Sequence, residues 1–294
     1  MDTRPDSSSP VRSRAPGAAP WDVLKVQSLA LLIAGVLTGL SLAIAALAAA
    51  THAPVAQPLA SLRVGVEPDS LPINNGTRDY SPAGLDAMLA RDLAQHLGAT
   101  LELVPLPSSQ FDAALAAQTV DLVISRQHRR MPVADGVRAL RTGYEPGLGV
   151  VMRSDTDVGR WRDLRGRIVC STDDARARAL ADEIGAQLQV HHAAAQALAQ
   201  VRTGGCAAAI FESPLLDALS RRPDWHKFSA TLPARQARPL TVLVPGASAS
   251  TLGQAVHQAL RSVGTREEWD RRRTAWAIGA ALETYLDQTG PDCH

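Results

Sequence analysis

The sequence predicts a two-lobed α/β protein with two hinge crossings between its lobes, preceded by one N-terminal transmembrane helix. Three observations carry this. Apolar strand segments alternate with helical stretches in two successive series, which is the pattern of parallel sheets covered by helices. One apolar strand leaves the first series at 148–153 and another returns at 238–244, so two segments cross between the halves. An uncharged run, LALLIAGVLTGLSLAIAALAAA, stands ahead of both series.

Residues 1–27 are rich in Ser, Pro and Arg with no apolar period, and read as a flexible cytoplasmic tail. The run from Leu29 to Ala50 has 22 residues. As a helix it would span roughly 33 Å, enough for the ~30 Å hydrocarbon core. Arg12, Arg14 and Lys25 precede it and the next basic residue is Arg63, which keeps the N-terminus inside and exports the rest. The reading is an uncleaved anchor over 28–50; the alternative is a signal peptide cut near Ala46, Ala48 or Ala50. No Cys follows the run, so a lipid anchor is excluded, and 51–61 is a Pro- and Ala-rich linker.

The first exported strand is LRVGV (62–66), followed by the loop EPDSLPINNG. Leu85, Met88, Leu89, Leu93 and Leu97 recur at helical spacing, and Gly98 ends that helix. LELV (101–104), FDAALAAQ (111–118) and VDLVI (120–124) continue as strand, helix, strand. In the second series RIVC (167–170), LQV (188–190) and CAAAIF (206–211) are strands. DDARARALADEIG, AAAQALAQVRTGG and SPLLDALS are its helices, RPLTVLV (238–244) returns, and 247–287 is mostly helical. Lobe 1 is therefore 62–147 with 245–288, lobe 2 is 148–244, and 289–294 is a tail. Ligands in such sheets sit beyond the carboxyl ends of the strands.

Composition narrows the function. With 30 Lys+Arg against 29 Asp+Glu the net charge is +1, which argues against a nucleic-acid partner. A hydrophobic share of 46% excludes wholesale disorder. Cys170, Cys206 and Cys293 are too few for a disulfide scaffold and lack metal-type spacing. The exported side is oxidising, so one bridge is expected; all three pairings are open, and one to Cys293 is favoured because it would pin a free end. His191, His192 and His294 have no partner at ligand spacing and read as solvated; no metal and no cofactor are expected.

Over residues 60–277 the chain resembles the periplasmic solute-binding proteins of polar amino-acid uptake systems, the bacterial family 3 type. The resemblance rests on LRVGVEPDSLP, GLDAMLARDLAQHLG, VDLVIS, WRDLRGRIVCST, GGCAAAIFE and the terminal helices around Trp269, in that order and spacing. It implies the type II periplasmic-binding-protein fold and binding without turnover. It also implies that an Arg holds the ligand's carboxylate, an acid its amino group, and backbone N–H groups at a helix start assist. Ser171 and Thr172 match the family's small hydroxyl residues, where a helix start at Thr172 or Asp173 would favour a carboxylate; either residue could instead cap that helix. Asp173 and Asp174 would oppose an anion there. Glu212 stands where the family has an Asp and would meet an ammonium.

The departures matter as much. Where the family places its clamping Arg this chain has Val133, and Arg130 falls on the family's Thr. Arg126, His128, Arg129 and Arg130 crowd the same strand end and would replace the clamp, favouring a ligand more anionic than a simple amino acid. Tyr80 lies close behind the family's aromatic position in the first loop, and Tyr144 matches its aromatic before the hinge. Asp86 reads as a helix or cleft-rim carboxylate.

The resulting expectation is a monomer in the periplasm, anchored to the inner membrane, that closes on an amino acid or related carboxylate. An ABC permease or a sensory partner in that membrane would receive it. One alternative is an accessory protein of a periplasmic quinoprotein dehydrogenase, since EPDSLPINNG is similar to those chains. Another is a dehydratase using Glu212 or His128 as acid or base. No nucleophile triad stands out, so an enzyme is not expected.

Overall fold

Residues 60–71, 73–74, 79–80, 84–126, 135–246 and 251–288 are described by a computed structural model. The tail, the apolar run and most of the linker lie outside them. Among the described residues no helix is long and apolar enough to cross a membrane.

Lobe 1 is built on β1 (Ser61–Val66), flanked in parallel by β4 (Thr100–Pro105) and β5 (Leu122–Arg126). A two-residue pair, β2 (Ile73–Asn74) and β3 (Asp79–Tyr80), lies between β1 and the first helix, α1 (Leu85–Leu97). That helix buries Leu85, Leu89 and Leu93 at a spacing of four. It stops at Gly98, whose φ of 67° is the left-handed conformation open to glycine. The short α2 (Phe111–Ala116) leads into β5. Beyond β5 come β11 (Leu240–Pro245), antiparallel, and then β6 (Val137–Arg141), giving the order β4-β1-β5-β11-β6. Leu62, Val64, Leu122, Ile124 and Val242 are fully buried in this sheet, each worth about 1.5–3 kcal/mol of transfer free energy. β6 escapes the sequence reading because its VRALR pattern sits in a Gly- and Pro-rich stretch.

Lobe 2 has β7 (Leu148–Val151), β8 (Ile168–Ser171), β9 (Gln187–Val190) and β10 (Ala208–Glu212) in the order β7-β10-β8-β9. Its helices are α3 (Ala175–Ile184), α4 (Ala194–Thr203) and α5 (Ser213–Ser220). Helix α3 starts later than expected. Asp174 caps it, accepting from the Arg176 N–H at 2.6 Å and the Ala177 N–H at 3.4 Å. Neither Ser171 nor Thr172 caps it, because Ser171 is still strand and its hydroxyl donates to the Ile210 carbonyl at 2.9 Å.

The two crossings run side by side. The Leu240 N–H donates to the Tyr144 carbonyl at 2.8 Å, and the Leu148 N–H to the Arg235 carbonyl at 2.7 Å. Gly147 permits this approach: a Cβ there would lie 2.9 Å from the Ala234 Cβ and 3.0 Å from the Arg235 carbonyl oxygen.

The chain ends in α6 (Thr251–Val263) and the 22-residue α7 (Arg266–Asp287). The first half of α7 is bolted to lobe 1. Trp269 donates to the Thr142 carbonyl at 3.2 Å and stacks on Tyr144 at 4.4 Å, while the buried Arg272 reaches Asp92 and the Val263 carbonyl, each at 2.7 Å. The second half does not stay there. Its small Ala277, Ala280 and Ala281 pack closely on α4 and α5 of lobe 2, and Trp276 meets Phe211 at 6.1 Å. Helix α7 thus straps the two lobes together.

Cys170 and Cys206 form a disulfide with Cα atoms 6.0 Å apart. This overturns the preference for Cys293, which lies outside the described residues. The reason is register: Cys170 is in β8, and β10, which Cys206 precedes by two residues, is its sheet neighbour.

Candidate functional site

The carboxyl ends of β5 and β10 face each other across the cleft and place Arg126 against Glu212. Arg126 is the last residue of β5, two positions beyond the strand end read from the sequence, and Glu212 is the last of β10. The Arg126 Nε donates to the Glu212 Oε1 at 2.5 Å, and its Nη1 donates to the Oδ2 of Asp86 on α1. That Asp86 oxygen also accepts from the Ser70 hydroxyl at 2.9 Å. From the far side, Arg176 Nη2 donates to Glu212 Oε1 at 3.0 Å, and the Tyr144 hydroxyl donates to Glu212 Oε2 at 3.1 Å. The result is a chain of alternating charge, Asp86, Arg126, Glu212, Arg176, Asp174, that ties lobe 1 to lobe 2.

Burial makes this network electrostatically strong. Asp86 is 1% exposed, Glu212 5% and Arg176 6%. Burial by itself raises the Asp86 carboxyl, but the Arg126 charge and hydrogen bond outweigh it and hold the group below the usual carboxylate range. Burial lowers the Arg126 guanidinium, and Asp86 and Glu212 more than reverse that. Burial, then the nearby Glu212 charge, pushes the Tyr144 hydroxyl far up, so it stays a donor. Glu67, on the same wall, is raised mainly by burial.

Beside the network lies a cavity of about 110 Å³, bounded by Glu67, Tyr80, Thr172, Phe211, Trp276 and Glu283 together with Arg126, Arg176 and Glu212. Ligand pockets usually exceed about 300 Å³. The network's own side chains narrow this part of the cleft, and beyond Glu67 and Thr172 it opens into a depression of about 470 Å³ that reaches Pro107 and His191. Two buried atoms in the network have no hydrogen-bond partner among the described residues: Asp86 Oδ1, an acceptor, and Arg176 Nη1, a donor. Of the two residues, Arg176 lines the cavity and Asp86 does not, so the unpartnered donor is the one placed to meet a ligand.

Of the residues singled out from sequence, Arg126, Glu212, Thr172 and Tyr80 line this cavity. Tyr80 also accepts from Gln196 at 3.2 Å and donates to Asp287 at 3.1 Å, linking the first loop to lobe 2. Tyr144 stands behind Glu212 and orients it. Ser171, 1% exposed, spends its hydroxyl on the Ile210 carbonyl. Arg130, like His128 and Arg129, lies outside the described residues. Among the described residues four carboxylates, Glu67, Asp174, Glu212 and Glu283, line the cavity against the guanidiniums of Arg126 and Arg176. Of the four residues on which a more anionic ligand was expected, Arg126 alone is described, and it is paired with Asp86 and Glu212.

Sequence reasoning missed Arg176 and read Asp86 as peripheral. A signal for Arg176 existed: a cation in the first turn of a helix opposes the helix dipole, so its placement needs a partner elsewhere. Asp86 had no such signal, because its partner is 40 residues away.

The model of the bacterial extracellular solute-binding proteins, family 3, matches residues 62–278. No curated protein sequence matches the chain. Among solved structures, an ancestral cationic amino acid solute-binding protein (AncCDT-1) aligns at 19% identity, covering 74% of this chain and 95% of its own, with a TM-score of 0.53. The GluR0 ligand-binding core in complex with L-glutamate aligns at 17% identity, 74% and 98% coverage and a TM-score of 0.52. An amino acid ABC transporter substrate-binding protein from Streptococcus pneumoniae bound to L-arginine aligns at 18% identity, 75% and 96% coverage and a TM-score of 0.51. These likenesses establish the two-lobed fold.

Proposed function

The chain belongs to family 3 of the bacterial extracellular solute-binding proteins, and from that premise we propose that its cleft takes a small ligand bearing an ammonium or guanidinium group, a zwitterionic or cationic amino acid. The observation that carries this reading is the Arg126–Glu212 contact. A cation from lobe 1 already sits on the lobe 2 acid where the family's ligands place their amino group. A ligand cation would displace the Arg126 head from Glu212, and its carboxylate would take the unpartnered Nη1 of Arg176. Among the described residues the surplus of carboxylates over guanidiniums favours a cation over a dianion.

Family 3 proteins work outside the cytoplasm with ABC transporters of amino acids. The apolar run over 28–50 supports a tethered form, which would hold the domain at high effective concentration near an inner-membrane permease or sensory partner. A second reading, the accessory protein of a dehydrogenase, is favoured by the same contact: lobes bridged by their own side chains need no ligand to present a fixed surface. A dehydratase is the third reading; Glu212 would still be held by Arg176 and Tyr144 after a ligand displaced Arg126, which leaves it poorly placed to move a proton, and His128 lies outside the described residues.

Thermal unfolding of the purified chain against amino acids and dicarboxylates tests the proposal. A ligand at 100-fold its Kd should raise the midpoint by about 5–10 °C. Shifts with arginine, lysine or a neutral amino acid, lost in Glu212→Gln, are expected. Shifts with dicarboxylates alone would refute the ligand class, and no shift with any compound would favour the accessory reading.

A further inference from the structure

A second cluster of donor atoms lies in lobe 2, outside the cavity described above. Cys170 is in β8, His191 follows the end of β9, and Cys206 stands just ahead of β10. Their sulfur and ring-nitrogen atoms lie within 4.8 Å of one another, and His191 Nε2 is 3.2 Å from Cys170 Sγ. Sequence spacing hides this group, because its members are 21 and 36 residues from Cys170 and only the pairing of neighbouring strands unites them. The disulfide uses both sulfurs, yet it does not explain an imidazole nitrogen aimed at one of them.

We infer that lobe 2 carries a thiol-gated site for a soft, zinc-like divalent ion, made by Cys170, Cys206 and His191 when their disulfide is reduced. An external dithiol supplies the two electrons and two protons: its own sulfurs become a disulfide, the Cys170–Cys206 bond breaks, and two thiols form. The ion then displaces both thiol protons and accepts the His191 Nε2 lone pair, giving two thiolates and one imidazole with a fourth position open. In a tetrahedral site a thiolate sulfur and an imidazole nitrogen sit about 3.6 Å apart and two thiolates about 3.8 Å. The Cys170–His191 separation is already close to that. The two cysteines, with Cα atoms 6.0 Å apart, reach it by side-chain rotation. Gln189, whose Oε1 is 4.0 Å from Cys206 Sγ, is placed to fill the open position or hold a water there.

The surroundings suit such an ion. Both cysteines belong to an apolar cluster with Ala197, Leu198 and Val201, where a lone charge would be costly. Two thiolates and a divalent ion sum to zero, so the complex can be buried there. Soft sulfur donors select zinc-like ions over magnesium or calcium. Access is from the β9 edge, where His191 and Val190 line a surface depression with Pro107 and Asp173.

Cobalt(II) serves as the optical probe on the full chain, with a phosphine as laboratory reductant. After reduction, one cobalt per chain should bind with a thiolate charge-transfer band and tetrahedral visible bands, and zinc should bleach both. The oxidised chain should show neither. Cys293→Ser should bind as the parent does. His191→Ala removes a direct ligand, so its loss of affinity should exceed the ~10–100-fold typical of a partner one step removed from a metal. Circular dichroism of the reduced chain checks that the fold persists. No cobalt spectrum after reduction, a spectrum lost in Cys293→Ser or kept in full by His191→Ala, or reduction that unfolds the chain would each overturn the site.

Discussion

Two arginines in adjacent strands of lobe 1 hold carboxylates by forked hydrogen bonds or paired contacts, and they do different work. Arg63, near the start of β1, grips Asp121 with its Nε at 3.3 Å and Nη2 at 2.7 Å, and the pair is partly open to water, 35% and 22% exposed. Arg126, at the carboxyl end of β5, is 12% exposed and joins two acids that are nearly sealed. The amino-terminal end of the sheet thus carries a partly solvated clasp inside one lobe. The carboxyl-terminal end carries a buried cation shared between lobes. In water an ion pair is screened and contributes little; out of water, removing one partner strands the other. The difference separates the end of the sheet that supports the fold from the end where the ligand is proposed to bind.

The sharpest way to break the comparison is Arg126→Ala. It leaves Asp86 and Glu212 buried without their shared cation and should cost about 3–5 kcal/mol. The thermal midpoint should fall on the order of 10 °C. Glu212→Gln should cost less, about 1.5–3 kcal/mol by the loss of charge-assisted hydrogen bonds, because Arg126 keeps Asp86. It should also abolish the ligand-dependent shift, which calorimetric titration would read.

Acidification should separate two carboxyls of the same wall. Asp86 has a folded-state pKa below its unfolded value, so its contribution is complete above about pH 3.9 and is lost as pH falls through the lowered pKa. Glu67 is raised by burial, so its charged form is a burden at neutral pH that protonation relieves as pH falls toward the raised pKa. A midpoint-versus-pH curve should therefore rise slightly on mild acidification and then drop steeply. Glu67→Gln should remove the rise and keep the drop. The smallest effect belongs to Arg63→Gln, whose midpoint should stay within the scatter of the measurement.

Much of the fold was legible because its grammar is local. The Leu85, Leu89, Leu93 spacing, the Gly98 stop and SPLLDALS as a helix all follow from near neighbours in sequence. Glu212 was legible for the same reason: an acid closing an apolar strand points beyond the sheet edge. What escaped depends on distant partners. The Arg126–Glu212 contact joins residues 86 apart, and the Cys170–Cys206–His191 group needs three strands in register. The strap made by α7 was hidden too, since Ala277, Ala280 and Ala281 read equally well against either lobe.

Chemical rescue of Arg126→Ala is the most direct test of the claim that this side chain occupies the seat of a ligand's cation. L-arginine, titrated into the variant and followed by its thermal midpoint, should restore the lost stability in a saturable way, with a lower Kd than for the parent chain. Rescue by a dicarboxylate instead, or no rescue by any cation, would contradict the account.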